Sequence, residues 1–502
     1  MEFSDALFHG LGRALSIEAL LAVSIGVTWG IIAGALPGIT ASIGMALILP
    51  FTWGYGADIA LMLLAGVYVG AEYGGSIPAI LIRSPGEPSN APAALDGYAM
   101  HARGETGKAL GYSLVPGTIA SLIGAVAMIA LLAPLARLAL SFGPPEYFAL
   151  AIFGISAVVG LARKSLVKGI ASAAFGLVLA TVGPDNLSGE DRFTYGIPGL
   201  LDGISTVTGV IGLLAVSEMF AEINQSNEKQ EKISTKVRTT LPSVIEYMRT
   251  LPATLIGTVI GIIVGVMPGA GATVASFLAY TESRRFSKDG DRYGQGVPDA
   301  IAAPEAANNS AVPTSLVPLL AFGIPGSSSA AIMLGALVMH GLRPGPQLLT
   351  GKPEFVYALF GGLITATIAM YVLGRMFIKP WIYILNVPKH YLITIILVVV
   401  VVGMLGLNLG VFQVYVVLIA GMVGFLMQRY GFNPVAAVLG LVLGALIEEN
   451  FRRALVMSRG SLEIFLTRPV SAALLLLALA SIAFPLVSEW RKNSAREARS
   501  KA

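Results

Sequence analysis

Long apolar stretches recur along the whole chain and restrict its fold more than any other feature. In the first of them, residues 17–53, Glu18 is the sole charged residue. A helix crosses the hydrocarbon core of a bilayer with about 20 apolar residues, at about 1.5 Å per residue. This stretch is therefore too long for one crossing, and it predicts two crossings or one crossing followed by a re-entrant piece. Charged residues make up 12% of the 502 residues, about half of the ~25% in soluble domains. A soluble enzyme, a nucleic-acid-binding protein and a disordered scaffold are excluded as descriptions of the whole chain.

Residue types that carry chemistry are scarce. The chain has no cysteine, which excludes disulfides, Cys-ligated zinc and iron–sulfur clusters. The four histidines are scattered without metal-ligand spacing. The sequence shows neither the Gly-x-Ser-x-Gly motif of hydrolases nor the lysine-containing phosphate loop of ATPases. We expect no catalytic residues, no enzymatic activity and no cofactor, and an ATP-driven pump is disfavoured.

Two halves of the chain repeat a series of short motifs. Residues 34–42 (GALPGITAS) match 265–273 (GVMPGAGAT), and Pro85–Ser89 (PGEPS) matches Pro325–Ser329 (PGSSS). A Met-His pair follows each copy, and between the motifs Glu72 and Glu305 occupy matching places. Four matches in one order indicate an internal duplication, with an insertion of several residues in the second copy.

These repeats predict the organisation of the whole chain. We expect an all-α integral membrane protein with about twelve transmembrane helices and additional re-entrant or broken helices. The predicted parts are an N-terminal segment (1–16), a first transmembrane repeat (17–221), a polar linker (222–250), a second transmembrane repeat (251–450) and an extra C-terminal helix with a basic cytoplasmic tail (451–502).

The charge of equivalent loops predicts the relative orientation of the repeats. The loop at 139–145 has no charge, whereas its counterpart at 379–390 carries two lysines. Because Lys and Arg mark the cytoplasmic side, equivalent loops are expected on opposite faces, as in the inverted-topology repeats of secondary transporters. The loop at 448–467 contradicts this pattern, because it should face outward yet holds Arg452, Arg453 and Arg459.

The Pro-Gly pairs indicate deliberately broken helices. Proline removes a backbone donor from a helix, and glycine permits unusual torsions. The half-helix that follows such a break points its N–H groups inward, which suits a carboxylate, and carbonyls of unwound backbone suit a cation. The alternative interpretation is a proline kink packed by small residues.

Polar residues around these breaks are the candidate binding residues. The substrate-binding candidates are Pro37, Gly38, Thr40, Ser42, Arg83, Ser84, Gly86, Ser89, Asn90, Pro268, Gly269, Thr273, Gly326, Ser327, Ser328 and Ser329. The cation-binding candidates are Gly38, Ser42, Glu72, Gly269, Gly271, Thr273, Glu305 and Asn309. The alternatives are hydrogen bonds between helices for the small polar residues, and charges at the headgroup level or in structural pairs for the glutamates.

The longer motifs resemble a known family. The segments GALPGITASIGMALILPFTWG, YGGSIPAILIRSPGEPSNAPAALDGYAM, GVMPGAGATVASFLAY and FGIPGSSSAAIMLG are similar to the large membrane subunit of tripartite tricarboxylate (TctA-like) transporters. The resemblance implies a bacterial inner-membrane transporter with two partners, a small membrane subunit of about four helices and a periplasmic solute-binding protein. It also implies carboxylate substrates such as citrate and uptake driven by an ion gradient. The two Pro-Gly regions of the family correspond to Pro37-Gly38 and Pro268-Gly269.

Together these features predict import of organic acids by alternating access at one midplane site, coupled to a cation, with Na⁺ favoured over H⁺. Two alternatives remain open. One is a membrane-embedded enzyme acting on lipid-linked or organic acids, which would turn over substrate without a gradient. The other is a passive anion channel, which would conduct without sodium dependence.

Overall fold

The computed structural model describes residues 3–36, 38–160, 165–185, 188–225, 240–269, 271–385, 389–406 and 410–483. Nearly all of these residues that belong to regular elements are helical. The helices of the first half are α1 (Phe3–Ala14), α2 (Ile17–Ala35), α3 (Ala41–Ile48), α4 (Ala57–Gly74), α5 (Ser76–Ile82), α6 (Ala91–Ala102), α7 (Thr106–Leu140), α8 (Pro144–Gly160), α9 (Leu166–Ala180), α10 (Thr206–Val210) and α11 (Ser217–Gln225). One short antiparallel pair, β1 (Gly183–Pro184) and β2 (Asp191–Arg192), follows α9.

The second half continues the helical pattern. Its helices are α12 (Val244–Val266), α13 (Gly271–Phe286), α14 (Asp299–Phe322), α15 (Ser328–Met339), α16 (Pro346–Gly351), α17 (Pro353–Met376), α18 (Ile378–Ile384), α19 (Lys389–Gly406), α20 (Gly410–Arg429), α21 (Pro434–Met457), α22 (Ile464–Thr467) and α23 (Pro469–Ala483). In the described part of the chain, eight helices are long and apolar enough to cross a membrane, and several shorter apolar helices accompany them. The all-α membrane fold expected from the sequence is confirmed. The number of about twelve crossings stays a prediction.

The chain forms two compact units. Unit 1 comprises Met1–Arg137 and Ala215–Tyr415, and unit 2 comprises Leu138–Leu214 and Val416–Ala502. Each unit therefore takes one segment from each half of the chain, and all copies of the Pro-Gly motifs belong to unit 1. The repeat boundaries inferred from the sequence stay a prediction.

Stripes of small residues bring the long helices of unit 1 together. Gly26, Gly30 and Gly34 lie on one face of α2, where their Cα atoms meet backbone of α4 at Leu63, Val67 and Ala71. The second half repeats this arrangement, because Gly257, Gly261 and Gly265 of α12 meet α14 at Ala303, Ala307 and Ala311. Small residues at every fourth position permit such close backbone approach between helices in a bilayer. The duplication in the sequence thus corresponds to two helix pairs packed in the same register.

The helix breaks expected at the Pro-Gly motifs are present. Helix α2 ends at Ala35 and α3 begins at Ala41, while α12 ends at Val266 and α13 begins at Gly271. Gly38 and Gly269 have φ angles of 91° and 76°. Glycine adopts this left-handed region without the Cβ clash that other residues meet. The sequence therefore placed both breaks correctly.

The helix after the predicted linker starts earlier than expected. Helix α12 begins at Val244, inside the segment 222–250 that the sequence assigned to a linker. A capping box explains the start, since the Ser243 hydroxyl accepts from the Glu246 N–H and the Glu246 carboxylate accepts from the Ser243 N–H. Lys108 pairs with Glu246 at 2.5 Å. Residues 226–239 of the predicted linker and the predicted basic tail after Ala483 lie outside the described residues.

Arg452 and Arg453, two of the three arginines that contradicted the charge pattern of the loops, form ion pairs inside unit 2. Arg192 donates to both carboxylate oxygens of Glu448, at 2.6 and 3.1 Å, and Arg452 donates to Asp185 at 2.7 Å and to Glu448 at 3.4 Å. Arg453 pairs with Glu449 one turn away. These ion pairs stabilise unit 2 internally, and the orientation of the loop at 448–467 stays a prediction that its arginines contradict.

Glu448→Gln is expected to destabilise unit 2, because both Arg192 and Arg452 lose a charged acceptor. A hydrogen bond to a charged group contributes about 1.5–3 kcal/mol, and partial exposure of the Glu448–Arg192 pair brings its expected loss to about 1 kcal/mol. Thermal unfolding of the purified chain in detergent measures the effect. The control Glu463→Gln changes an exposed carboxylate of the same unit. Equal melting temperatures for the two variants would contradict the structural role of Glu448.

Candidate functional site

The broken segments of each repeat lie against each other in unit 1. In the first repeat, the Gly86 N–H donates to the Gly75 carbonyl at 3.1 Å, and Gly86 packs directly on the Gly34 carbonyl. In the second, the Gly269 N–H donates to the Gly326 carbonyl at 3.1 Å. Each first Pro-Gly break therefore lies close to the second break of the same repeat.

Hydroxyl groups connect the breaks of one repeat with those of the other. Ser42 at the start of α3 lies 3.1 Å from the hydroxyl of Ser329 in α15. Tyr68 of α4 lies 3.0 Å from the Ser327 hydroxyl and 3.4 Å from that of Ser315. Residues 38–42 and 325–329, far apart in sequence, thus form one polar surface lined with hydroxyl groups.

A second polar group, which we call the inter-repeat cluster, lies around two glutamates. Asn90 is its centre, because its Nδ2 donates to Glu305 Oε1 at 3.1 Å, to the Ser76 hydroxyl at 3.0 Å and to the Glu72 carbonyl at 3.1 Å. The Ser89 hydroxyl donates to Glu72 Oε2 at 2.9 Å. Glu305 and Asn90 are 0% exposed, and Glu72 is 4% exposed.

Several buried oxygen atoms of this cluster lack hydrogen-bond partners among the described residues. They are Asn90 Oδ1, Glu305 Oε2 and Asn309 Oδ1. Asn308 lies beside the Glu72 carboxylate, yet its amide forms no hydrogen bond of normal geometry. Buried polar atoms in folded proteins are nearly always partnered. The cluster therefore presents an excess of oxygen acceptors in a place closed to bulk water.

The two helix ends that the sequence assigned to substrate carboxylates differ in charge. At the start of α3, Thr40 caps the helix and the Glu87 carboxylate accepts from the Ala41 N–H. The Glu222 side chain lies directly against Gly38. In the second repeat, Ser327 is the counterpart of Glu87 in the sequence. Its hydroxyl caps α15, and the residue lies near Gly271 at the start of α13. A carboxylate of the protein itself therefore occupies the α3 end, whereas the second repeat has a neutral hydroxyl.

The expectation that Glu72 and Glu305 occupy matching places is wrong. Gly34 packs on Ala71 and Gly265 packs on Ala311, so the neighbour of Ala71, Glu72, corresponds to Val312. By the same register Gly26 lies on Leu63 and Gly257 on Ala303, so Glu305 corresponds to Ala65. Both repeats contain a glutamate followed by a serine and a proline, but these residues do not correspond. The insertion in the second repeat lies before α14, so residues of α14 align with residues of α4 at a different offset from that of the first Pro-Gly motif.

The remaining candidates are less closely connected. Arg83 ends α5 with a φ of 55° and its guanidinium lies 4.3 Å from the centre of the Tyr98 ring. The Ser84 N–H donates to the Pro78 carbonyl at 3.3 Å. Gly271, with a φ of 61°, starts α13. Pro268, Thr273 and Ser328 are half-buried beside these helix starts. Pro37 lies outside the described residues.

Sequence reasoning missed three residues that line these surfaces. Tyr68 lies one helical turn before Glu72, so its spacing was a usable signal. Ser315 contacts Tyr68, and Ser113 of α7 lies next to the Glu305 carboxylate. Nothing in the sequence near Ser113 or Ser315 indicates these contacts, since they depend on how distant helices pack.

Comparison with known proteins gives the family. The model of the Tripartite tricarboxylate transporter TctA family matches residues 20–439. The chain belongs to the TctA family. It is a multi-pass membrane protein and a membrane subunit of a tricarboxylate transporter.

Two relatives of this TctA-family chain come from Agrobacterium vitis. One, described as an uncharacterized 52.8 kDa protein in the TAR-I ttuC' 3' region, is 35% identical over 98% of both chains. The other, an uncharacterized protein in the TAR-II ttuC' 3' region, is 34% identical over 45% of this chain and 93% of its own length. No solved structure matches the chain.

Proposed function

We propose that this protein is the large membrane subunit of a secondary transporter that imports tricarboxylates or related organic acids by alternating access. One observation carries the proposal: the broken helices of both repeats meet at a polar surface inside an otherwise apolar unit. Discontinuous helices that meet near the bilayer midplane are where secondary transporters bind anions and coupling ions. Membership of a tricarboxylate transporter family supports the same substrate class.

Substrate carboxylates bind at the hydroxyl-lined surface formed by Ser42, Tyr68, Ser327 and Ser329. Hydroxyl groups donate to a carboxylate without adding charge, and the N–H groups at the starts of α13 and α15 add favourable dipoles. The second repeat offers the better position for the anion, because Glu87 and Glu222 place negative charge at the start of α3.

The transporter works with two partners in the bacterial inner membrane and periplasm. A small membrane subunit completes the membrane complex, and a periplasmic solute-binding protein delivers the acid. Uptake is coupled to a cation gradient, because inward movement of a multiply charged anion needs compensating positive charge. Of the two common coupling ions, we propose Na⁺ rather than H⁺.

Reconstitution of the three components in proteoliposomes tests this function. We expect uptake of radiolabelled citrate or another di- or tricarboxylate that requires both the binding protein and an inward Na⁺ gradient. Uptake without any gradient requirement, accompanied by ionic conductance, would instead identify a channel. Chemical conversion of the acid by the detergent-solubilised protein would identify an enzyme.

Ser42→Ala is expected to raise the substrate concentration for half-maximal uptake about fivefold to tenfold, the effect of one lost hydrogen bond of about 1–1.4 kcal/mol. Ser205→Ala is the matched control, because Ser205 precedes α10 in unit 2 and makes no side-chain cap. An unchanged half-saturation in Ser42→Ala would remove Ser42 from the substrate site.

A further inference from the structure

Glutamates of the inter-repeat cluster are buried without a counter-charge. Glu72 and Glu305 take part in none of the ion pairs found among the residues that the structure describes. A charged side chain at the centre of a membrane helix costs about 2.5–3.5 kcal/mol, and a buried charge is normally paired or bound to a metal ion. The cluster therefore holds either protonated, neutral carboxyl groups or a bound cation, since the described side chains supply no positive charge.

The duplication shows that the fold does not require these residues. Gly34 packs on Ala71, and Gly265 packs on Ala311. By this register, Val312 of α14 is the counterpart of Glu72, and Ala65 of α4 is the counterpart of Glu305. The residue after the second Pro-Gly motif is Asn90 in the first repeat and Ala330 in the second. Each of these three positions thus carries an acid or an amide in one repeat and an apolar residue in the other. The packing of the helix pairs alone therefore does not explain why Glu72, Asn90 and Glu305 are polar.

Oxygen atoms of the cluster have the chemistry of a cation site. Glu305 Oε2, Asn90 Oδ1 and Asn309 Oδ1 belong to side chains at most 1% exposed, and none accepts a hydrogen bond from a residue that the structure describes. Carboxylate and carbonyl oxygens suit hard cations. In the described part of the chain no third acidic or histidine side chain joins these two glutamates in a metal-binding group, which favours a monovalent ion over a divalent one.

We propose that the inter-repeat cluster, centred on Glu72, Asn90 and Glu305, is a Na⁺ site of this protein. The inference rests on the proposed function for its biological meaning, because it identifies the coupling ion's position. It also moves the ion away from the glycines of the Pro-Gly breaks, where the sequence placed most of the candidate ligands. Asn90 follows the second break of the first repeat and bonds to Glu305 of the second, 215 positions away. Occupancy of the site therefore bridges the two repeats.

Binding of ²²Na⁺ to the purified full-length chain in detergent tests the proposal. We expect saturable binding by the wild type, and at least about tenfold weaker binding, or about 1.4 kcal/mol, in Glu72→Gln and Glu305→Gln. Asn90→Ala, which introduces the residue found in the second repeat, is expected to weaken binding without changing the elution profile. Glu146→Gln is the matched control, because Glu146 is a buried carboxylate of unit 2 and glutamine keeps an acceptor for the Gly143 N–H.

The outcomes separate the ion site from the transport function. Unchanged ²²Na⁺ affinity in both glutamate variants would overturn the proposal, as would wild-type protein that binds no Na⁺ and instead releases protons on titration of these glutamates. Na⁺ binding that depends on the cluster, in a protein that transports no organic acid, would support the ion site and contradict the proposed function.

Discussion

Gly269→Val is expected to reduce organic-acid uptake to about a tenth of the wild-type rate or less, while the protein still folds and inserts. Gly269 has a φ of 76° between α12 and α13, and its N–H bonds to the Gly326 carbonyl. A β-branched residue with positive φ is a strong outlier, at a cost of about 1–2 kcal/mol. The loop is expected to relieve this strain by turning away from Gly326, which displaces the start of α13 from the substrate surface. A barrier change of 1.36 kcal/mol corresponds to about tenfold in rate.

A matched substitution separates this effect from strain alone. Gly104 also has a positive φ, 80°, but an added side chain there meets no atom within 4 Å. Gly104→Val therefore introduces a similar torsional cost after α6, away from the two breaks. Uptake by reconstituted protein, normalised to the monodisperse fraction, is the measurement. Equal losses in both variants, or full uptake by Gly269→Val, would contradict a role for this break in transport.

Gly30→Leu and Gly261→Leu are expected to destabilise the protein by about 3 kcal/mol, the upper end of the usual cost of overpacking. A Cβ at Gly30 would overlap the Val67 carbonyl oxygen, and one at Gly261 would overlap both the Ala307 carbonyl and the Ser310 hydroxyl. Neither helix backbone can yield without separating the pair. Because the two positions are equivalent in the two repeats, similar losses are expected at both.

Melting temperature in detergent and the yield of monodisperse protein measure this effect. Gly12→Leu serves as the control, since an added side chain at Gly12 in α1 meets nothing within 4 Å. A melting temperature for Gly30→Leu that equals that of Gly12→Leu would show that α2 and α4 do not depend on this close approach.

Local patterns in the sequence were sufficient for the helix class and for the positions of the breaks. Proline and glycine act on their own backbone, so Pro-Gly inside an apolar stretch predicts a break wherever the rest of the chain lies. Long apolar runs likewise predict membrane helices from length and composition alone. The sequence also identified Glu72, Glu305, Asn90 and Asn309 as candidate binding residues, because charged and amide groups are rare within apolar segments.

Local sequence patterns did not reveal how the helices of the two repeats align or which side chains contact each other. The sequence aligned Glu72 with Glu305, whereas the packing of the glycine stripes makes Val312 the counterpart of Glu72. Short motif matches revealed the insertion in the second copy but not that it lies before α14. Similarly, the Glu87 carboxylate occupies the start of α3, although the sequence assigned that helix end to a substrate carboxylate.

What the sequence by itself determined about this protein is its membrane nature, its duplication and its broken helices, since each depends on neighbouring residues along the chain. Only the tertiary structure decided that Ser42 meets Ser329 and that Asn90 joins Glu72 to Glu305. Contacts between residues more than two hundred positions apart depend on the approach of helix backbones, which small residues permit but whose register they do not reveal in a linear pattern.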